Sequence, residues 1–480
     1  MKRRGFLLFF FSNLSFVSFT SFAKAKPSSN RRFDSVDDLI ASPPRYQGEI
    51  VTLSSYHKQC DIGGGNFIAK KVSTPTDYGV YFNTKSELSW YRMDAERRIF
   101  EPEWFGCIGD GIVDDSLYFN RLLKSLSDGD SILLRQDAIY YNAVPTKNSR
   151  FILSNNDVTI IGNNAKIIRR PTSIDTKKND VGNLATLKIT GNNTKIVGKL
   201  TISGGESGAL LKNRFYTSVS QKAFTRGFSS SHALFVENVD GLYLSPELKC
   251  ENAIFPLYVN KSRNIKIFGE YNNSGQVYPV KGKDLQLGSC VKIANTQSFF
   301  VDIKANHSAY CGLEIEPYCD TGDVTVDATD CYMHGCIIHQ FSSNIKVNVK
   351  LSGSEKGAGI RISSGSQNIF GKINAINCDN AVLIVSKGHS ICKNINLSIE
   401  TDRLNDTALV VYNDDKRNIS LINAKFTFLK IGEISNLISL INGRDISVFL
   451  DKKMGLNIDM HKQKIIDCLN TNVSFFSNNK

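Results

Sequence analysis

A short alternation of apolar and variable residues recurs along the second half of this chain. Each copy has an apolar residue, a variable residue and a second apolar residue, which is the two-residue period of a β-strand. The copies are Leu234-Phe235-Val236, Leu257-Tyr258-Val259, Val291-Lys292-Ile293, Leu313-Glu314-Ile315, Ile337-Ile338-His339, Ile360-Arg361-Ile362, Leu383-Ile384-Val385, Leu409-Val410-Val411 and Ile438-Ser439-Leu440. They start 23, 34, 22, 24, 23, 23, 26 and 29 residues apart. This near-constant step predicts a solenoid in which each repeat stacks on the one before.

A second strand follows the late copies and is usually introduced by asparagine. These asparagines are Asn264, Asn344, Asn368, Asn394 and Asn418. Because asparagine tolerates the left-handed backbone of tight turns, the recurrence predicts an amide ladder along one corner of the solenoid. Two or three strands in each repeat predict an all-β fold, a parallel β-helix. The competing solenoid, the leucine-rich repeat, needs a Leu-x-x-Leu-x-Leu pattern and a helical segment, which this sequence lacks.

The start of the chain has the pattern of an export signal. The first 25 residues combine a basic start, an apolar stretch and the sequence Ala23-Lys24-Ala25, which is typical of a secretory signal peptide. The Arg3-Arg4 pair leaves an ordinary signal and a twin-arginine signal both open. No other stretch is long enough to span a membrane. We therefore expect an exported protein, periplasmic or extracellular.

Local sequence patterns predict the other segments of the chain. Short strand-like runs before residue 100 predict a small β-rich module, and an apolar stripe from Phe119 to Leu126 predicts an amphipathic helix that covers the first edge of the solenoid. Two breaks in the repeat, 206–231 and 272–288, predict either loops that build a binding face or disorder. The predicted segments are a signal peptide at 1–25, a linker and β-rich module at 26–100, a motif and capping helix at 101–130, the β-helix at 131–450 and a C-terminal tail at 451–480.

The net charge of the chain narrows the class of binding partner. The chain has 58 Lys and Arg against 46 Asp and Glu, a net charge of +12, which in an exported protein favours an anionic polysaccharide. Zinc-finger spacing, an RNP-like motif and long basic runs are missing, so nucleic acid is not expected.

The 11 cysteines recur in turns before the apolar triplets. Buried thiols are therefore favoured over the alternative, a disulfide framework.

No cofactor is expected from the sequence. Asp110, Asp114 and Asp115 lie close together, but they lack the alternating spacing and the terminal glutamate of an EF-hand, so a bound Ca2+ ion has no support. Asp114 is instead expected to be the N-cap of the amphipathic helix, with Asp115 near the positive end of the helix dipole.

The motif ahead of this helix resembles the first segment of the pectate-lyase-like superfamily of right-handed parallel β-helix proteins. It reads Trp104-Phe105-Gly106-x-x-Gly109-Asp110-Gly111-x-x-Asp114-Asp115. The module before it, with Phe33-Asp34-Ser35-Val36-Asp37-Asp38-Leu39 and Gly63-Gly64-Gly65-Asn66-Phe67, is similar to the segment found before that motif in bacteriophage tailspike depolymerases. The resemblance implies polysaccharide binding, cleavage by hydrolysis or β-elimination, and often a homotrimer.

The resemblance carries few catalytic residues over to this chain. In the polygalacturonase branch, aspartates and a histidine lie just before successive triplets. The corresponding segments here are Tyr310-Cys311-Gly312, His334-Gly335-Cys336 and Gly357-Ala358-Gly359. They contain no aspartate, and only His334 lies near an expected polar position.

The outward positions of the repeat predict a local binding site. Side chains alternate along a strand, so the middle residue of each triplet and the residue after the triplet point outward. These positions carry aromatic and charged residues only in the middle repeats. The predicted contacts to substrate are Phe235, Glu237, Tyr258, Asn260 and Gln340, together with His307, and the predicted catalytic group is Glu314, Glu316, Lys292, His334, Tyr310 and Arg361.

Two kinds of chemistry fit these residues. In a hydrolase, Glu314 and Glu316 would be the acid and base; two residues apart on one strand, their Cα atoms lie about 6.5–7 Å apart, which fits an inverting pair better than a retaining one. Lys292 would keep one of them ionised, although a simple surface ion pair explains the same residues. In a lyase, His307, Tyr310 or His334 would be the base, and Lys292 and Arg361 would neutralise a uronic-acid carboxylate. His339 is expected to point inward.

These predictions lead to three hypotheses. The first is an exported depolymerase that acts on an acidic polysaccharide. The second is a β-helix that binds carbohydrate or attaches to a surface without catalysis. The third is a tailspike component of a phage or prophage.

Overall fold

The computed structural model describes most of the chain. The described residues are 31–71, 74–143, 151–170, 184–205, 231–278, 284–286, 288–415, 417–451 and 463–476. The predicted signal peptide, most of the first insertion and half of the C-terminal tail lie outside them. None of the helices in these segments is long and apolar enough to cross a membrane.

The N-terminal module is a five-stranded sheet with one short α-helix. The strands are Arg31–Phe33, Ile50–Ser55, Gly63–Lys70, Tyr81–Asn83 and Ser89–Arg92, and the helix is Val36–Ala41. Ser35 is the N-cap, and its hydroxyl accepts a hydrogen bond from the amide of Asp38. Leu39, Phe67 and Trp90 are fully buried between the helix and the sheet. The predicted β-rich character of this region is confirmed.

The segment between module and solenoid is organised around a buried aspartate. It contains the 3-10 helices Met93–Arg97 and Pro102–Phe105 and the α-helix Ser116–Ser125. Asp115 rather than Asp114 is the N-cap of this α-helix, and its carboxylate accepts hydrogen bonds from the amides of Ile108 and Tyr141 at 2.7 and 3.1 Å. The N-cap position is thus one residue later than predicted, but Asp115 makes no side-chain cap hydrogen bond. The carboxylate of Asp114 accepts the amide of Ser116, the first helical residue, and the amide of Ala143. The apolar stripe of the helix is buried, as predicted.

The rest of the described chain is a parallel β-solenoid of about 11 turns. One continuous sheet of 30 strands winds through it. The strands are Ile99–Phe100, Asp110–Asp114, Ser131–Leu133, Ile139–Asn142, Phe151–Leu153, Thr159–Ile161, Ala165–Arg169, Leu184–Ile189, Thr194–Val197, Leu200–Ser203, Ser231–Glu237, Asp240–Leu244, Leu248–Ala253, Phe255–Asn260, Arg263–Ser274, Val291–Ala294, Gln297–Ser308, Cys311–Ile315, Asp320–Cys331, His334–Ile338, Ser343–Ser354, Ala358–Ser363, Gln367–Cys378, Asn380–Ser386, Cys392–Asn413, Leu421–Ile431, Ile434–Ile441, Gly443–Asp451, Lys464–Ile466 and Asn472–Phe476. A separate hairpin, Gln276–Tyr278 with Asp284–Gln286, occupies the second break in the repeat. The predicted parallel β-helix is confirmed.

One corner of the solenoid is held by the predicted amide ladder. The side-chain amide of Asn368 donates to Asn344, that of Asn394 donates to Asn368, and that of Asn423 donates to Asn394, at 2.8 to 2.9 Å. Asn368 has a φ of 56°, in the left-handed region that asparagine tolerates. In this part of the ladder the predicted Asn418 is replaced by Asn423.

The core is a continuous column of apolar side chains. Nine of the 11 cysteines are buried in or beside it, and all 11 are free thiols. The prediction of buried thiols rather than disulfides is therefore confirmed.

The strand register differs from the sequence prediction at two repeats. Leu313 pairs with Cys336, and Cys336 pairs with Ile360. The predicted triplet Ile337-Ile338-His339 is therefore replaced by Cys336-Ile337-Ile338, which begins one residue earlier. The same shift occurs at Val382-Leu383-Ile384. Side chains on the two sides of these strands exchange places, so the predicted outward Ile338 and Ile384 point inward and are buried.

Candidate active site

The candidate site lies on the face formed by the triplet strands, called here the site face. It spans the adjacent strands Val291–Ala294, Cys311–Ile315, His334–Ile338 and Ala358–Ser363. Lys292, Glu314, Ile337 and Arg361 follow one another in register along one column. A parallel column at the next outward position, two residues further along the chain, contains Glu316, His339 and Ser363. Stacking of successive coils therefore brings residues far apart in sequence into one cluster.

Lys292 joins the two glutamates. Its Nζ lies 2.8 Å from Oε1 of Glu314 and 2.9 Å from Oε1 of Glu316. The second oxygen of Glu314 accepts a hydrogen bond from Oγ of Ser289 at 2.8 Å. Glu314 is 6% exposed, so this is a largely desolvated group and not a solvated surface ion pair.

The two carboxyl groups have pKa shifts of opposite direction. Burial, and then the neighbouring charge of Glu316, raise the pKa of Glu314 to about 7, against the opposing effect of Lys292. Burial also acts to raise the pKa of Glu316, but the hydrogen bond from Glu314 and the charges of Lys292 and Arg361 together bring it below its ordinary value. Near neutral pH, Glu314 therefore holds a proton part of the time while Glu316 is ionised. Such a difference is what separates an acid from a base in a carboxyl pair.

His339 belongs to this site, contrary to its predicted inward position. The one-residue register shift places it outward, beside Glu316 and Ser363. Its Nε2 lies 3.7 Å from Oε2 of Glu316, and its Nδ1 is hydrogen-bonded to Oγ of Ser363. Burial, followed by the charge of Arg361, lowers the pKa of His339 to about 4. His339 is thus neutral near pH 7.

Tyr310, His334 and Arg361 form the adjoining part of the cluster. The rings of Tyr310 and His334 meet edge to face at 6.4 Å, and Nδ1 of His334 accepts the amide of Ala358 at 2.9 Å. Burial and the nearby Arg361 lower the pKa of His334 to about 3. Nε2 of His334 and Nε of Arg361 are buried and find no hydrogen-bond partner within the described segments. All six predicted catalytic residues therefore lie together on the site face.

The predicted substrate contacts are divided between several places. Tyr258 is half-buried on the site face, and its ring stacks on Phe235 with centroids 5.3 Å apart. Phe235 is only 1% exposed, so it supports Tyr258 and is not itself open to a sugar ring. Glu237 forms an ion pair with Lys188 at 2.7 Å, and Asn260 accepts from the side chain of Asn295.

The remaining two predicted contacts are His307 and Gln340. His307 is the penultimate residue of the strand Gln297–Ser308, and its Nδ1 lies 3.5 Å from Oδ2 of Asp330. Gln340 is an exposed turn residue, and its carbonyl oxygen accepts the amide of Tyr318. Because of the register shift, His339 occupies the outward position that was expected for Gln340.

Sequence reasoning missed five residues in and around this cluster. They are Ser289, His339, Ser363, Tyr318 and Phe341. The two aromatic residues each follow a site-face strand by the same number of positions, 23 residues apart, so the repeat itself contained a signal for them. Within the described segments, no three His, Cys, Asp or Glu side chains lie close enough together to hold a metal ion.

Comparison with known proteins agrees with this architecture. Residues 32–95 match the family model of the phage tail protein small four-stranded beta-sheet domain. No curated protein sequence matches the chain. The enzymatically active domain of tailspike protein 2 from bacteriophage CBA120 is 14% identical, with 92% of this chain and 61% of that chain covered and a TM-score of 0.50.

Two further solved structures extend the comparison. Full-length tailspike protein 2 of that Escherichia coli O157:H7 phage is 16% identical, covering 93% of this chain and 55% of its own, with a TM-score of 0.50. The family 28 exopolygalacturonase of Yersinia enterocolitica is 10% identical, covering 86% and 84%, with a TM-score of 0.55. This chain thus spans less than two thirds of the length of the tailspike structures. The chain shares the parallel β-helix fold of these tailspike and exopolygalacturonase structures, which is the fold that the sequence resemblance predicted.

Proposed function

We propose that this protein hydrolyses an acidic polysaccharide at the Glu314–Glu316 pair. The observation that supports this most strongly is the opposite direction of the two pKa shifts in carboxyl groups that share one lysine. Likeness of fold to a tailspike enzymatically active domain and to an exopolygalacturonase agrees with the proposal.

The proposed reaction uses the two glutamates in different roles. Protonated Glu314 gives its proton to the glycosidic oxygen, which leaves as the alcohol of the departing sugar. Ionised Glu316 stabilises the positive charge that develops at the anomeric carbon. Water supplies the hydroxyl group of the new reducing end, and its second proton restores Glu314.

The spacing of the pair changes one sequence prediction. An oxygen of each carboxyl group lies within 3 Å of the same Nζ, so these oxygens are less than about 6 Å apart. An inverting pair is held about 6.5–9.5 Å apart to admit water, and a retaining pair about 5–5.5 Å. The observed spacing therefore gives no support to the predicted preference for an inverting mechanism. Identifying the anomer that is released first would show whether the enzyme inverts or retains.

Arg361 supports an acidic substrate. Lys292 is engaged by two carboxylates, so its charge is already compensated. Nε of Arg361 is buried and has no hydrogen-bond partner within the described segments, although the residue lies beside the catalytic pair. The residue is only partly buried, so a uronic-acid carboxylate that approaches its guanidinium would supply the opposite charge.

Two competing functions remain testable. A lyase needs a base that titrates near neutral pH, whereas burial lowers the pKa of His334 to about 3 and raises that of Tyr310 above its ordinary value. A glycan-binding protein without catalysis is favoured by one observation, the 6% exposure of Glu314. Export and a homotrimer also belong to the proposal; light scattering of the purified protein tests the trimer.

The test is incubation with polysaccharides of known chemistry. The set comprises polygalacturonate, alginate, hyaluronan, bacterial capsular and O-antigen preparations, and neutral dextran. New reducing ends without a rise in absorbance near 235 nm support the hydrolase, because β-elimination would create an absorbing double bond. A rise in that absorbance supports the lyase, and binding without cleavage of any member overturns the enzymatic proposal.

A further inference from the structure

Two exposed aromatic rings lie directly beside the candidate site. Tyr318 and Phe341 are 61% and 49% exposed. Their rings are nearly parallel, with an interplanar angle of 9° and centroids 5.8 Å apart. Burying either ring in the core would be favourable, so large exposed rings held parallel on neighbouring coils point to a binding role.

The positions of the rings connect them to the catalytic pair. Tyr318 is two residues after Glu316, and Phe341 is two residues after His339. Each is the third residue after the end of a site-face strand, and the amide of Tyr318 is hydrogen-bonded to the next coil at Gln340. A chain of sugars that occupies the glutamate pair and crosses this edge of the site face would meet the rings next.

The pair of rings formed by Tyr318 and Phe341 is covered on one side and open on the other. Phe341 packs against Gly365 of the following coil, where an added Cβ would lie 2.7 Å from the ring. On the other side of the pair, Tyr318 follows Pro317, whose carbonyl oxygen accepts the amide of Asn295 in the preceding coil at 2.7 Å. Asn295 is exposed and has a short polar side chain. A pyranose ring has an apolar face of C–H groups and a rim of hydroxyls. It therefore matches an open aromatic face bordered by an amide.

We propose that Tyr318 and Phe341 form a sugar-binding subsite of the same glycan that Glu314 and Glu316 cleave. Tyr318 stacks on the apolar face of a pyranose unit, and Phe341 holds the tyrosine ring in place from the side of Gly365. This inference rests on the proposed function, since it assumes that the glycan occupies the glutamate pair. Binding energy gained at this subsite positions the adjacent glycosidic bond at the acid.

The test measures binding without cleavage. Calorimetry compares the Glu314→Gln protein with double variants that add Tyr318→Ala, Phe341→Ala, Tyr318→Phe or Phe370→Ala, using the polysaccharide from the set above that wild type binds most tightly. Phe370 is the matched control, because it is 48% exposed but lies on a different face of the solenoid. We expect the two alanine changes at the subsite to raise Kd by about 3- to 10-fold. Tyr318→Phe and Phe370→Ala should leave Kd within about 2-fold.

Different outcomes separate this inference from the proposed function. Unchanged Kd for both Tyr318→Ala and Phe341→Ala overturns the subsite and leaves the catalytic proposal intact. Cleavage by Glu314→Gln at the wild-type rate overturns the catalytic proposal, while the Kd values still decide the subsite. A wild-type protein that binds no member of the set overturns both.

Discussion

Nζ of Lys292 lies 2.8 Å from a carboxyl oxygen of Glu314 one coil away, and it contacts Glu316 at nearly the same distance. One lysine thus acts to lower the pKa of both carboxyl groups, while burial keeps that of Glu314 above its ordinary value. The acid and the base of the proposed reaction are therefore not independent, and a change at Lys292 affects both.

Replacing Lys292 by methionine should be costly for stability. The change leaves Glu314 and Glu316 facing each other in a largely buried place without their cation. We expect the free energy of unfolding to fall by about 3 kcal/mol at pH 7. The control is Lys372→Met, which removes the more exposed partner of Glu400 and should cost less than about 1 kcal/mol. Equal losses for the two variants in urea unfolding would contradict this account.

The raised pKa of Glu314 predicts how stability depends on pH. A carboxyl group with an ordinary value of 4.5 in the unfolded chain and about 7 in the folded chain binds its proton more tightly when folded. Its contribution to stability is complete below pH 4.5 and is lost as pH rises through 7. Wild type should therefore lose stability between pH 4.5 and 7.5 relative to Glu314→Gln, which cannot titrate there. Parallel curves for the two proteins would show that the pKa is not raised.

The amide ladder predicts a cost at Asn368. Alanine at this position loses two side-chain hydrogen bonds and must adopt a φ of 56°. We expect a loss of about 2 kcal/mol in the free energy of unfolding. Asn368→Gly removes the backbone strain and should recover about half of it. Asn396→Ala, an exposed strand position outside the ladder, is the control and should change stability by less than about 0.5 kcal/mol.

Asp115 should be a stability determinant of the segment that precedes the solenoid. Replacing it by alanine removes the acceptor of the amides of Ile108 and Tyr141. Buried unpaired amides cost about 1–3 kcal/mol each, so the first coil should unfold at lower urea concentration and become open to proteolysis. In Asp110→Ala, by contrast, the amides of Ile112 and Val113 are exposed and can bind water. If both variants resist protease equally, Asp115 does not have this role.

The sequence was most informative where one position repeats many times. The recurring triplet predicted the solenoid, and recurring asparagines predicted the ladder, because stacking makes each coil constrain the next. The same repetition placed Lys292, Glu314 and Arg361 in one outward column. The repeat alone predicts that these residues lie together, without any information on loop structure.

The errors came from a local ambiguity. In Cys336-Ile337-Ile338-His339, an outward isoleucine follows an inward cysteine, so the alternation can be read in two registers. The later of the two registers predicts an inward His339. Packing decides the correct one, because Cys336 stacks between Leu313 and Ile360. Tyr318 and Phe341 were missed for a different reason: turn residues do not take part in the alternation.

Initial rates of reducing-end formation test whether Glu314 and Glu316 cleave a glycan. Wild type, Glu314→Gln, Glu316→Gln and Glu400→Gln would be compared on the polysaccharide that wild type cleaves. Glu400 is the matched control, since it also pairs with a lysine on an outer face of the solenoid. We expect either site variant to lose at least about 100-fold in rate, while Glu400→Gln keeps the wild-type rate. Full activity in both Glu314→Gln and Glu316→Gln would contradict the proposed function.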